Sequence, residues 1–182
     1  MGWLQDVFGR QKVVLASVYL PALPGSLGAS RQARVADMVA RVRQEVAVLR
    51  AGGVDGVIFG NQYDTPYRAG VGPETVALAV EIISRVVQAE PIPFGVSLFW
   101  DARASLAVAR AVGARFVRGV FSGAYAGEMG LFQEDAGSIL RYREAIGADD
   151  VKAMFFVRPI YCRALAERPL PDWCWDAVHG GG

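Results

Sequence analysis

The stretch Pro93–Gly123, PFGVSLFWDARASLAVARAVGARFVRGVFSG, decides the fold. An apolar run ends at Asp101, an alanine-rich amphipathic segment follows, and a second apolar run carries Arg118. Strand, helix and strand within about 30 residues make a βαβ unit. Parallel strands joined by such a crossover are covered on both faces, so they read as near-continuous apolar runs. Asp101 falls where the first predicted strand ends, and Arg118 lies inside the second. Either charge is costly there unless something pairs with it.

On both sides of this stretch the unit repeats. Lys12–Leu20 predicts a buried strand that Pro21, Pro24 and Gly25 stop. Ser30 offers an N-cap for a helix whose Val35, Met38, Val39, Val42, Val46 and Leu49 share one face, closed by Gly52 and Gly53. Gly56–Phe59 predicts the second strand, followed by the loop GNQYDTPYRAGVGPET. Pro73 and Glu74 suit the first turn of a helix running to about Glu90, with Val76, Val80, Ile83 and Val87 inward. Phe116–Phe121 is the fourth predicted strand, SGAYAGEMGLFQEDAG reads as a loop, and a helix passes through Ile139, Leu140 and Tyr142. Val151–Val157 is the fifth strand, and the residues after it read as irregular. Alternation of this kind implies α/β architecture with one parallel sheet and helices outside it. The long loops all follow strands, the side on which α/β folds place their sites.

Composition narrows the function classes. Of 182 residues, 53% are apolar and 10% aromatic, which predicts one well-buried globular domain. The formal net charge of +1, with acids and bases interspersed, gives no footprint for nucleic acid. Cys162 and Cys174 form no CxxC pair, and the single histidine, His179, sits in a glycine tail, so neither a zinc site nor a Ser–His–Asp triad is indicated. The N-terminus is charged by Asp6 and lacks the apolar core of a secretory signal, and no apolar run approaches the ~18 residues of a membrane span. A cytoplasmic location is the expectation. GVGPET lacks the GK[ST] of a P-loop.

YLPALPGS, FGNQYDTPY with GPETVA, GVSLFWDARASLAVA, RFVRGVFSGAYAGEMGL and LRYREAIGADDVK, taken in this order, resemble the BtpA/SgcQ family, the SgcQ-like branch more than the BtpA branch. The resemblance runs from Trp3 to Leu170. It implies a ribulose-phosphate-binding-type TIM barrel, here an incomplete (β/α)8 barrel of about five parallel βα units. On this resemblance residues 1–170 are expected to form the partial barrel of a C-terminally truncated family chain, and residues 171–182 a divergent tail. Asn61, Asp64, Asp101 and Arg118 match the family pattern. Tyr19 replaces a histidine, Gln62 a glutamate, and Phe156 with Pro159 and Ile160 an asparagine and a Pro-Glu pair.

The site residues have two readings each. Asp101 is an acid, base or metal ligand, or else the N-cap of the following helix. Arg118 binds an anion, or pairs with Asp101 or Asp64. Asp64 is a site residue or an Asx-turn residue before Pro66. The expected set is Asp101 and Asp64 for acid–base work, with Asn61, Gln62 and Arg118 for binding. A divalent cation is a candidate cofactor and a phosphorylated small molecule the candidate ligand. The resemblance implies a role in carbohydrate or phospho-metabolite metabolism. The alternatives are a non-enzymatic assembly or stability factor resembling the photosystem I protein of the BtpA branch, and an inactive truncated remnant. Five strands leave two sheet edges unpaired, which predicts a homodimer through those edges or a non-barrel closure.

Overall fold

Every apolar run predicted to be a strand is one. In the computed structural model, which describes residues 2–181, the elements follow as α1 (Trp3–Phe8), β1 (Leu15–Tyr19), α2 (Val35–Ala51), β2 (Gly56–Gly60), α3 (Pro73–Ala89), β3 (Phe94–Ser97), α4 (Ala102–Val112), β4 (Phe116–Gly119), β5 (Gly123–Gly127), β6 (Gly130–Glu134), α5 (Ala136–Ala145), β7 (Lys152–Phe155), β8 (Cys162–Ala164) and α6 (Leu170–His179). Five of these strands form one parallel sheet in the order β1-β2-β3-β4-β7. Doubly wound sheets reverse their order at a switch point, and this one does not. Right-handed crossovers between strands in unbroken order put every crossover helix on the same side, the construction of a (β/α)8 barrel.

The two faces of the sheet differ. Val18, Val57, Phe59, Val96, Val117 and Ala153 join Met38, Val42, Ile83 and Leu106 of the helices in one core. Because strand side chains alternate, Tyr19, Ile58, Gly60, Gly95, Ser97, Phe116, Arg118 and Met154 belong to the opposite, inner face. At its N-terminal end that face is covered by α1, whose Trp3 and Phe8 rings stand 5.6 and 6.1 Å from Phe116. Gly95 lets the Phe116 ring lie flat across the sheet, since a Cβ there would come within 2.4 Å of it.

Four local expectations change. Helix α2 starts at Val35 with Arg34 as its extended N-cap, while the Ser30 hydroxyl accepts from Gln32 N–H in its own short turn. The buried face of α3 is Thr75, Ala79, Ile82, Ile83 and Val86, and Val76, Val80 and Val87 are partly buried at its flanks. Packing against α2 and α4 as well as the sheet broadens the apolar face of this helix. The residues read as a loop after β4 contain the hairpin β5–β6, and those read as irregular after β7 supply β8, which pairs with β5, and α6. Tyr125 and Phe132 of the hairpin close over Phe99, Trp100 and Val120 as a second small core.

Candidate functional site

Arg118 stands on the inner face at the C-terminal end of the parallel sheet. Its row is set by register: Tyr19 lies beside Gly60, Gly60 beside Ser97, and Arg118 beside Met154. Among the described residues the buried Nε of Arg118 has no hydrogen-bond partner. Its guanidinium lies 5.1 Å from the Phe156 ring centroid, and burial pulls its pKa down against the opposing influence of Tyr19. Among the described residues no carboxylate forms an ion pair with it, so the proposed pairings with Asp101 and Asp64 are not made. A desolvated cation with an unused donor is set up to receive an anion.

Gln62 belongs to the same layer. Gly60 has no side chain, and the Gln62 carboxamide fills the space: a Cβ at Gly60 would lie 2.6 Å from Gln62 Oε1 and 2.9 Å from Nε2. Gln62 Oε1 is buried and unpartnered among the described residues. The backbone carbonyl of Gln62 is fixed by the Tyr67 hydroxyl, which donates to it at 3.0 Å.

The other expected residues hold the loops. Asn61, only 1% exposed, accepts from Phe99 N–H at 2.7 Å and donates through Nδ2 to Phe99 O at 3.4 Å and to Asp64 Oδ2 at 3.3 Å. Asp64 Oδ1 accepts from Leu23 N–H at 3.0 Å, which ties the β2–α3 loop to the β1–α2 loop. Burial pushes the Asp64 carboxyl above the ordinary range despite these bonds. Asn61 and Asp64 line a cavity of about 280 Å³ with Ser26, Tyr67, Arg68 and Phe99. Asp101 is the N-cap of α4: Oδ1 accepts from Ala104 N–H at 2.8 Å, and Oδ2 accepts from Val71 N–H at 3.2 Å. Arg118, Gln62 and Asp101 do not line that cavity.

One group was invisible in the sequence. Glu134, at the end of β6, is half-buried near Asp101, and burial first, then the Asp101 charge, pushes its pKa up to about 7 against the attraction of Arg103. A carboxyl that titrates near neutrality suits proton transfer. No local signal marks it, because a hairpin 33 positions downstream brings it to Asp101. Among the described residues no three His, Cys, Asp or Glu side chains are grouped to hold a metal ion.

The family pattern of BtpA matches residues 10–181. The chain belongs to the BtpA family. This BtpA-family chain is 38% identical over 170 residues to the sgc region protein SgcQ of Escherichia coli, covering 93% of this chain and 63% of SgcQ. It is 34% identical over 181 residues to the photosystem I biogenesis protein BtpA of Synechocystis, covering 98% of this chain and 62% of that protein. The chain thus spans less than two thirds of the length of these curated relatives. Among solved structures, 7,8-dihydropteroate synthase from Vibrio fischeri superposes with a TM-score of 0.54 at 14% identity, over 82% of this chain and 47% of that one. That likeness concerns the fold alone, the TIM barrel, of which this chain carries five parallel strands. No helix among the described residues is long and apolar enough to cross a membrane.

Proposed function

We propose that this BtpA-family chain binds a phosphorylated small molecule of carbohydrate or phospho-metabolite metabolism at the C-terminal ends of its parallel strands, in the cytoplasm. The observation that carries the reading is Arg118, a partly buried guanidinium whose buried Nε has no partner, and whose charge no acid pairs, among the described residues. Arg118 takes the phosphate, Gln62 lies in the same layer, and Asn61 fixes the loops that frame the mouth. Asp64 and Asp101 are the proposed acid–base groups. Asp64 lines the cavity with a carboxyl pushed up by burial, and Asp101 neighbours the titratable Glu134. Asp64 and Asp101 would be the oxygen ligands of a divalent cation, which would supply Lewis-acid stabilisation of phosphate charge. The test is thermal stabilisation by a panel of phosphorylated sugars. Saturable stabilisation that vanishes in Arg118→Met supports the reading, and a flat response to every phosphate contradicts it.

The second reading is a non-enzymatic assembly or stability factor, favoured by the 34% identity to the photosystem I biogenesis protein. Exposed apolar side chains at Leu131, Tyr161, Leu165 and Trp175 supply a surface for it. Strands β1 and β7 each have one sheet neighbour, and their free edges are the proposed contact of a homodimer. Light scattering on the purified chain tests this: a dimer supports it and a monomer at high concentration contradicts it.

A further inference from the structure

Gln62 carries chemistry that the Arg118 reading does not use. Its Oε1 is a buried acceptor without a donor among the described residues, and leaving such an atom unmet is costly. The side chain is not a stray surface group. It occupies the space that Gly60 vacates on the inner face, between Tyr19 and Ser97 in the strand register. A Cβ at Gly60 would meet the carboxamide and also Ser97 O, at 2.9 Å, so glycine at this position is what admits the carboxamide into the layer.

A neutral carbonyl oxygen and a guanidinium ask for opposite things. Arg118 offers N–H donors and a positive charge, whereas Gln62 Oε1 accepts only from a donor. A phosphate oxygen satisfies the first and is repelled by the second. A hydroxyl group does the reverse, donating to Oε1 while adding no charge. Gln62 stands over β2 and Arg118 on β4, two strand spacings apart, or about 10 Å. One ligand meeting both therefore carries its phosphate at one end and a free hydroxyl several carbons away.

We infer that Gln62 is a specificity-determining residue that selects a polyol phosphate, accepting a hydrogen bond from a ligand hydroxyl while Arg118 holds the phosphate. This rests on the anion reading of Arg118 and adds the second half of the ligand. A polyol phosphate is preferred over an otherwise identical alkyl phosphate, because only the ligand hydroxyl supplies the donor that the buried Oε1 lacks.

Calorimetric titration with ribitol phosphate and with pentyl phosphate, which differ in their hydroxyl groups alone, tests it. The wild-type chain binds ribitol phosphate about tenfold more tightly or better. Gln62→Met removes that difference. Gln62→Glu keeps an acceptor but adds a negative charge, so it preserves the difference while weakening both ligands, which separates loss of the acceptor from loss of the fold. Arg118→Met weakens both ligands alike. Equal binding of the two ligands by the wild type, or a preference that survives Gln62→Met, overturns the inference and leaves the anion site standing. Failure of both ligands to bind the wild type overturns the anion site and the inference together.

Discussion

The side-chain amide of Asn61 pairs with the backbone of Phe99 as a further strand residue would, accepting from its N–H at 2.7 Å and reaching its carbonyl at 3.4 Å. The pairing locks the ends of β2 and β3 together and sets the positions of the two loops that carry Gln62, Asp64 and Asp101. Asn61→Ala leaves the buried Phe99 N–H without an acceptor and costs about 1–3 kcal/mol. Asn61→Asp keeps that acceptor but sets a carboxylate against Asp64, so it is less stable at pH 8 than at pH 5 relative to the parent. Urea unfolding at both pH values measures this, and equal losses for Asp and Ala at both would contradict it.

Asp101 gives both carboxylate oxygens to backbone N–H groups, Ala104 in α4 and Val71 across the loop. Removing an N-cap costs about 1 kcal/mol. Asp101→Ala lowers the urea midpoint accordingly without changing the slope, and Asp101→Asn recovers part of the loss. A midpoint unchanged in Asp101→Ala would leave the cap without energetic weight.

The Glu134 carboxyl has its pKa raised from 4.5 to about 7 by burial and Asp101. The native state then holds a proton that the unfolded chain has released, so stability falls as pH rises from about 4.5 to about 7. Glu134→Gln removes that contribution and gains on the parent above pH 7. Parallel stability–pH curves for parent and variant would refute the raised pKa.

Gly95 and Phe116 are packed so closely that a Cβ on Gly95 would stand 2.4 Å from the ring. Gly95→Ala overpacks the inner face and costs about 1–3 kcal/mol. In the Gly95→Ala, Phe116→Leu double variant the two effects are not additive, because the smaller side chain relieves the collision. Strict additivity of the two thermal-melt shifts would contradict the contact.

The parallel half of the fold was legible because its determinants are local. Apolar runs without alternation marked β2 and β3, Pro73 marked the start of α3, and Asp101 announced the α4 cap. The hairpin was not legible, since GAYAG has one large side chain, Tyr125, and its burial depends on Phe132 and Trp100 from elsewhere. Helix α1 escaped for a similar reason: six residues are too few for a periodic signal, and Phe116 and Gly56, distant in sequence, give Trp3 and Phe8 their surface. At the site, Arg118 was marked by its place inside a strand. The pairing of Asn61 with Phe99 and the approach of Glu134 to Asp101 are tertiary facts that no spacing encodes.

The central claim is that Arg118 holds an anion through donors left unused by the protein. Its most direct test is proton–nitrogen NMR of the arginine side chains during titration with inorganic phosphate. The account predicts one Nε–H resonance, absent in Arg118→Met, that shifts saturably as phosphate is added. A resonance assigned to Arg118 that stays in place through millimolar phosphate would contradict it.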